Sequence, residues 1–170
     1  MTRLYLVRHG ETFDNARQIL QGQVQGELNE TGIHQAEEVR DALADVATDA
    51  VVASDLWRSI QTARIVAAPH HLEVTTTPLL RERDWGDFTG KFIPDLNSVK
   101  VWPDNVEPLP KLLERAGRFL EFLRTNYPGQ TVIAVGHGIV NKAVQAVFLG
   151  KQMHEVVRMK NAEVRILDIP

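Results

Sequence analysis

The chain has 170 residues, 44% hydrophobic and 24% charged, with 19 basic and 22 acidic side chains and a formal net charge of -3. That composition fits one folded globular domain over residues 1–170 with a real core, and the weak, unclustered charge argues against duplex nucleic acid or an anionic membrane as the main partner. There is no cysteine, which excludes disulfides, thiolate nucleophiles and cysteine-based zinc sites.

Met1, Thr2 and Arg3 lead straight into a strand pattern, without the apolar stretch and small-residue cleavage site of a secretory leader. No run approaches the roughly 20 apolar residues of a membrane helix. A cytoplasmic protein is expected. Leu4 to Val7 reads as a short buried strand, as do "VVAS" at 51–54 and "TVIAV" at 131–135. Between them, residues 31–46 carry Ile33, Ala36, Val39, Leu43 and Val46 at helical spacing. Residues 56–69 repeat that pattern and stop at Pro69, and residues 112–129 do so again before Pro128 and Gly129. A last helix is expected over 139–150 and a last strand over 161–169, at the edge or in the centre of the sheet. Strands separated by helices predict an α/β fold, a three-layer α/β/α sandwich around a mostly parallel sheet. Two stretches fall outside this rhythm: 21–30, polar with two glycines, and 86–110, with four prolines. Both are expected as long loops bordering a binding site.

Two histidines follow two strands in the same way, in "LVRHG" (6–10) and "AVGHG" (134–138). Ligands collect beyond the carboxyl ends of strands in an open α/β sheet, so His9 and His137 are expected to face one crevice. The glycine after each leaves room for a tight turn and a ligand, and the helix that follows presents free N–H groups. Arg8 brings a planar cation that can grip an oxyanion with two parallel bonds, and Arg58, just inside the helix after "VVAS", brings another to the same edge. Two arginines, two histidines and helix N-termini describe a site for a dianion, most simply a phosphate. His34, His70 and His71 read as structural or surface residues. No GxGxxG or GxxxxGK motif is present. Metal-ligand spacings of histidine are missing too, and two arginines would oppose a dication, so neither a metal nor an organic cofactor is expected.

This constellation resembles the histidine phosphatase superfamily, in the branch that holds phosphoglycerate mutases and small phosphatases. "RHGET" at 8–12 with Asn15 is similar to its R-H-G-E/T-x-x-x-N signature. Ser54, Arg58, Thr62 and Ala63 match S-x-x-x-R-x-x-x-T-A, and "LLRERDWGDFTG" (79–90) resembles the segment that carries the family's acid, here Glu82. "VGHG" (135–138) and "LNETGIHQA" (28–36) complete a set in family order. The resemblance implies a metal-independent phosphatase acting on phosphate monoesters, with His9 attacking phosphorus through Nε2 to form a phosphohistidine. It implies Glu82 as general acid, then base, and Arg8, Asn15, Arg58 and His137 as phosphate ligands. Glu11 is expected to hold an arginine or a backbone group, Thr12 to cap a helix or touch phosphate, and Gln21 and Gly22 to contact or support substrate. Gln23, Gln25 and Glu27 are expected with residues 91–108 around the mouth.

Members often carry a G-E-S-like element after the acid segment; here Val106-Glu107-Pro108 stands in that region, and the short stretch leads to an expected open site. That argues for a phosphatase over the alternative of a phosphoglycerate mutase, for which Lys91 and Lys100 are the candidate carboxylate cations. A third alternative, a phosphate-recognising scaffold without turnover, is opposed by the complete residue set. The expected partners are a phosphorylated small molecule or phosphoprotein as substrate and inorganic phosphate as product. The expected assembly is a monomer or weak homodimer.

Overall fold

The structure is a computed structural model that describes residues 1–170. Five strands form one sheet: β1 (Thr2–Arg8), β2 (Ala50–Ser54), β3 (Val74–Thr77), β4 (Thr131–Gly136) and β5 (Val164–Ile169). Their order is β3-β2-β4-β1-β5, with β5 antiparallel to β1 at one edge and every other pairing parallel. The helices are α1 (Phe13–Arg17), α2 (Glu30–Leu43), α3 (Trp57–Ala67), α4 (Ile93–Leu96), α5 (Leu109–Asn126) and α6 (Gly138–Leu149).

The central strands are apolar at nearly every position because both faces of the sheet are covered. Alternate residues point to opposite sides, so Leu4, Leu6, Val132 and Ala134 meet Leu112, Phe119, Leu120, Val140 and Val144 of α5 and α6. Val7, Val51, Ala53, Ile133 and Val135 meet Val39, Leu43, Ala63 and Val66 of α2 and α3 on the other side. This is the expected three-layer α/β/α sandwich.

The four long helices and the predicted strands form within a few residues of their predicted bounds, and the last strand takes the edge. Three elements differ from expectation. β3 is an edge strand of mostly exposed threonines, without the apolar run that marks a buried strand. The five-residue α1 has no buried residue and holds through its cap, in which Thr12 Oγ1 accepts from Asn15 N–H at 2.9 Å and Asn15 Oδ1 from Thr12 N–H at 3.1 Å. The 86–110 segment, expected to be structureless, contains a 3-10 turn (Gly86–Phe88) and α4.

The carboxyl ends of β1, β2 and β4 lie side by side in the sheet and deliver Arg8, Ser54 and Gly136 to one edge. The turn after β1 is pressed against the start of α2. A Cβ on Gly10 would run into the Gly32 carbonyl, and one on Gly32 into the Glu11 carbonyl, so only glycine permits this backbone-on-backbone contact.

Candidate active site

At this edge lies a cavity of about 290 Å³ whose polar side is lined by Arg8, His9, Asn15, Gln21, Arg58 and Glu82. His9, immediately after β1, is almost fully buried. Its Nδ1 lies 2.7 Å from the Gly10 carbonyl oxygen, which can only accept, so Nδ1 carries the ring proton and Nε2 is left with a lone pair. Burial first, then the charges of Arg58 and Arg8, push its pKa well below the usual 6.5. The ring is therefore neutral at neutral pH, as a nucleophile requires.

His137, the residue before α6, is completely buried and does not itself line the cavity, against the expectation that it faces the crevice with His9; its ring is edge-on to that of His9 with the centroids 5.0 Å apart. Its Nε2 is 2.7 Å from Ser54 Oγ and 3.1 Å from Ser59 Oγ. A hydroxyl donating there places the ring proton on Nδ1, which has no partner within the protein. Burial, then Arg58 and His9, hold this imidazole neutral too.

Arg58, 1% exposed, projects from the first turn of α3 into the 21–30 loop. Nη1 donates to the carbonyls of Val24 and of Gln25 (3.2 Å), and Nη2 to that of Gly22 (2.6 Å). Nε–H has no protein partner, and one Nη2 hydrogen is left beside it. Arg8 donates from Nη1 to the Met159 carbonyl at 2.8 Å, and its buried Nε–H is unpartnered as well. Each arginine is thus fixed by backbone carbonyls on one side and keeps the Nε/Nη2 edge that matches an oxyanion. Burial lowers both pKa values to about 10, which leaves both side chains charged at neutral pH.

Glu82 is buried at the start of α6. Oε1 accepts from Val140 N–H (2.9 Å) and Arg83 N–H (2.9 Å), and Oε2 from Ile139 N–H (3.0 Å). Arg115 of α5 braces the chain around it, donating to the carbonyls of Leu79, Arg81 and Glu82 while its fork pairs with Glu107 at 2.8 and 3.1 Å. Glu107, in the region compared with the G-E-S-like element, is a brace and does not line the cavity.

Asn15 accepts through Oδ1 from Thr12 and Asn161, which leaves its NH₂ as the donor for the cavity. Thr12 is fully buried, caps α1 and donates to Gln21 Oε1 at 3.1 Å, so its hydroxyl supports Gln21 and does not line the cavity. Glu11 holds neither an arginine nor a backbone group. Its Oε2 accepts from Asn29 Nδ2 (3.1 Å), the residue that caps α2. Gly22 lines the cavity and presents its carbonyl to Arg58. Gln23 donates to the Glu82 carbonyl, the exposed Gln25 accepts from the Trp57 N–H, and Glu27 lies at a separate surface depression with Phe13 and Gln61. Lys91 and Lys100 do not line the cavity.

The site is also not open along residues 86–110, since Trp85, Phe88, Ile93, Leu96 and Trp102 build one of its walls. Sequence reasoning missed Arg158, which reaches the cavity against Gly138, and the contacts of Ser54 and Ser59 with His137 Nε2. Ser54 stood in a recognised motif, but nothing local marks Arg158, 100 residues beyond Arg58. No group of three His, Cys, Asp or Glu side chains is arranged to hold a metal ion, and no helix is long and apolar enough to cross a membrane.

The profile of the histidine phosphatase superfamily (branch 1) matches residues 4–170, and the chain belongs to that family. It is 37% identical over 142 residues to the uncharacterized phosphatase PhoE of Bacillus subtilis (strain 168), covering 81% of this chain and 72% of the relative. It is 39% identical over 183 residues to the probable phosphoglycerate mutase GpmB of Proteus mirabilis, covering 99% and 85%. The crystal structure of the alpha-ribazole phosphatase from Shigella flexneri superposes with a TM-score of 0.88 at 28% identity, covering 99% of this chain and 91% of that one. The protein is a metal-independent phosphate monoester hydrolase that acts through a catalytic histidine.

Proposed function

We propose that residues 1–170 work as one catalytic domain in which His9 is the nucleophile and Glu82 the proton carrier. The observation that carries this reading is the set of donors around His9. Arg8 Nε, Arg58 Nε and His137 Nδ1 are buried and unpartnered within the protein, beside a neutral imidazole whose Nε2 has a free lone pair. Buried donors without partners cost about 1–3 kcal/mol each, so their gathering at one point marks what they are built to bind. An oxyanion satisfies all three.

In the first step a bond forms between His9 Nε2 and phosphorus as the bond to the ester oxygen breaks, and that oxygen takes a proton from Glu82. In the second, water attacks phosphorus, Glu82 accepts the water's proton, and the bond to Nε2 breaks, releasing inorganic phosphate. The Nε/Nη2 edges of Arg8 and Arg58, the Asn15 amide and the His137 Nδ1–H stabilise the equatorial oxygens in both transition states. The Gln21 NH₂ is a further donor. The substrate is a phosphorylated small molecule, which a cavity of about 290 Å³ suits. The protein works as a monomer or weak homodimer in the cytoplasm. A mutase needs cations for a substrate carboxylate; Lys91 and Lys100 do not line the cavity, and Arg158 is the one cation there besides Arg8 and Arg58.

The test is phosphate release from an aryl phosphate with EDTA present, with wild type beside His9→Ala and an acid quench of radiolabelled substrate to trap phosphohistidine. Turnover and label that both vanish in His9→Ala are expected. Label retained in that variant would move the nucleophile elsewhere.

A further inference from the structure

The cavity is divided by chemistry. The rest of the lining is a largely apolar wall of Leu20, Trp85, Phe88, Ile93, Trp102 and Ile139, together with Ile19, Leu96 and Asn97. Glu82 is the only acid that lines the cavity, Arg158 the only cation besides Arg8 and Arg58, and Asn97 the only polar side chain among the wall residues. We propose that this wall is the binding surface for the alcohol half of the substrate, and that the substrates are monoesters of an apolar small-molecule alcohol, aliphatic or aromatic, without a second anionic group. This rests on the monoester hydrolase reading above and adds the leaving-group class to it.

Three observations carry it. First, the wall lies where the leaving alcohol has to be. Glu82, which protonates the ester oxygen, accepts a hydrogen bond from the N–H of Ile139, itself part of the wall, and Trp85 follows Glu82 by three residues. An alcohol whose oxygen meets the Glu82 carboxyl has its carbon skeleton against those side chains.

Second, the wall is preformed. The Trp102 ring lies 5.8 Å from that of Trp85 and edge-on at 5.6 Å to that of Phe88. The Arg83 guanidinium covers both tryptophans at 4.8 and 5.5 Å while its Nε–H donates to the Glu107 carbonyl. Asn105 holds the turn that carries Phe88 by accepting from Asp87 N–H and donating to the Asp87 carboxylate, both at 3.0 Å. A wall fixed before substrate arrives keeps most of the free energy of apolar contact for binding.

Third, the polar groups needed for the other classes of phosphate ester are missing there. A polyol phosphate would exchange several hydrogen bonds with water for one to Asn97. A phosphorylated hydroxy acid needs a cation on the alcohol side. Arg158 instead lies against Gly138 at the start of α6 and lines a second depression together with Arg8 and Asn15, two of the proposed phosphate ligands. Meanwhile Ile93 and Trp102 are 41% and 47% exposed, apolar surface that a bound alkyl or aryl group would cover.

The experiment measures kcat/KM for ethyl, butyl and hexyl phosphate, whose leaving groups are all primary alcohols of matched basicity, together with 3-phosphoglycerate. The expected result is a rise of about twofold to fourfold per methylene, with 3-phosphoglycerate below hexyl phosphate. In Trp102→Ala, and separately in Ile93→Ser, the hexyl-to-ethyl ratio is expected to fall at least threefold. The ratio is read within one variant, so a general loss of activity cancels. Ethyl and hexyl phosphate turned over equally, or 3-phosphoglycerate preferred, would overturn the inference and leave the hydrolase reading standing. A phosphotyrosyl peptide turned over far better than phenyl phosphate would place the decisive contacts outside the cavity and overturn the small-molecule assignment. Silence towards every ester, aryl phosphates included, would remove the hydrolase reading and this inference together.

Discussion

Histidine chemistry in this protein depends on which ring nitrogen carries the proton. A single carbonyl, that of Gly10, determines it for His9, while at His137 the Ser54 and Ser59 hydroxyls, which can donate or accept, meet Nε2 and leave Nδ1 without a protein partner. In the mechanism proposed above Glu82 has the complementary task, and its contribution should depend on the leaving group. Glu82→Gln is expected to lower kcat for an alkyl phosphate by about 10²–10⁴-fold and for an activated aryl phosphate far less, because an aryl oxide departs without a proton. Equal losses on both esters would take the proton-carrier role from Glu82. The two histidines also make stability pH-dependent. Their folded pKa values lie well below the usual 6.5, so below about pH 6.5 the unfolded chain binds protons that the folded chain does not. Stability is full above that pH and is lost as pH falls through the folded values. The charged groups facing these rings, Arg8, Arg58, Arg115 and Arg158, act in the same direction. Urea midpoints measured without phosphate from pH 8 downward are expected to fall below about pH 6.5, and to fall less in His9→Asn.

At the scale of elements, polar contacts outside the sheet fix two of the proposed catalytic groups. The 21–30 loop supplies three carbonyls to one guanidinium, and the chain around Glu82 is tied to α5 through Arg115. Arg115 and Glu107 are only 12% and 14% exposed, and the arginine also satisfies three backbone carbonyls. Arg115→Lys cannot reproduce that fork. It is expected to lower the unfolding free energy by about 3 kcal/mol and to lower kcat more than it raises KM, since it positions Glu82 and touches no substrate. A change confined to stability, with kcat intact in the folded fraction, would show that the brace has no part in placing the acid.

Taken as a whole, the molecule is a well-packed sheet with donors held apart from one another at one edge, and a dianion should tighten that edge. Phosphate at 100 times its Kd is expected to stabilise the folded state by about 2.7 kcal/mol, a rise in Tm of roughly 5–10 °C for a chain of this size. Arg8→Ala should remove most of the rise, because it takes away one of the two oxyanion edges. An Arg8→Ala protein that still gains the full increment would put the anion somewhere else.

How much of this was legible in the sequence follows from the range of each interaction. The apolar runs of β1, β2 and β4 and the helical spacing of α2, α3, α5 and α6 are local patterns, imposed by burial on both faces of a sheet and on one face of a helix, so these elements could be placed from the chain alone. Arg8 with His9, the Arg58 segment and the Gly136-His137-Gly138 turn were readable for the same reason, since each directly follows a strand whose end must lie at the ligand edge. β3 and α1 were hidden because neither buries an apolar face. Long-range contacts alone decided the rest. Arg158 reaches the cavity from the far end of the chain, Ser59 touches a histidine 78 residues away, Glu11 turned to Asn29, and a proline-rich stretch that reads as open loop folded into an aromatic wall. Periodicity reports which side of an element is buried, whereas the chemistry of a pocket depends on side chains from several elements meeting at one point, and only the packed chain makes them meet.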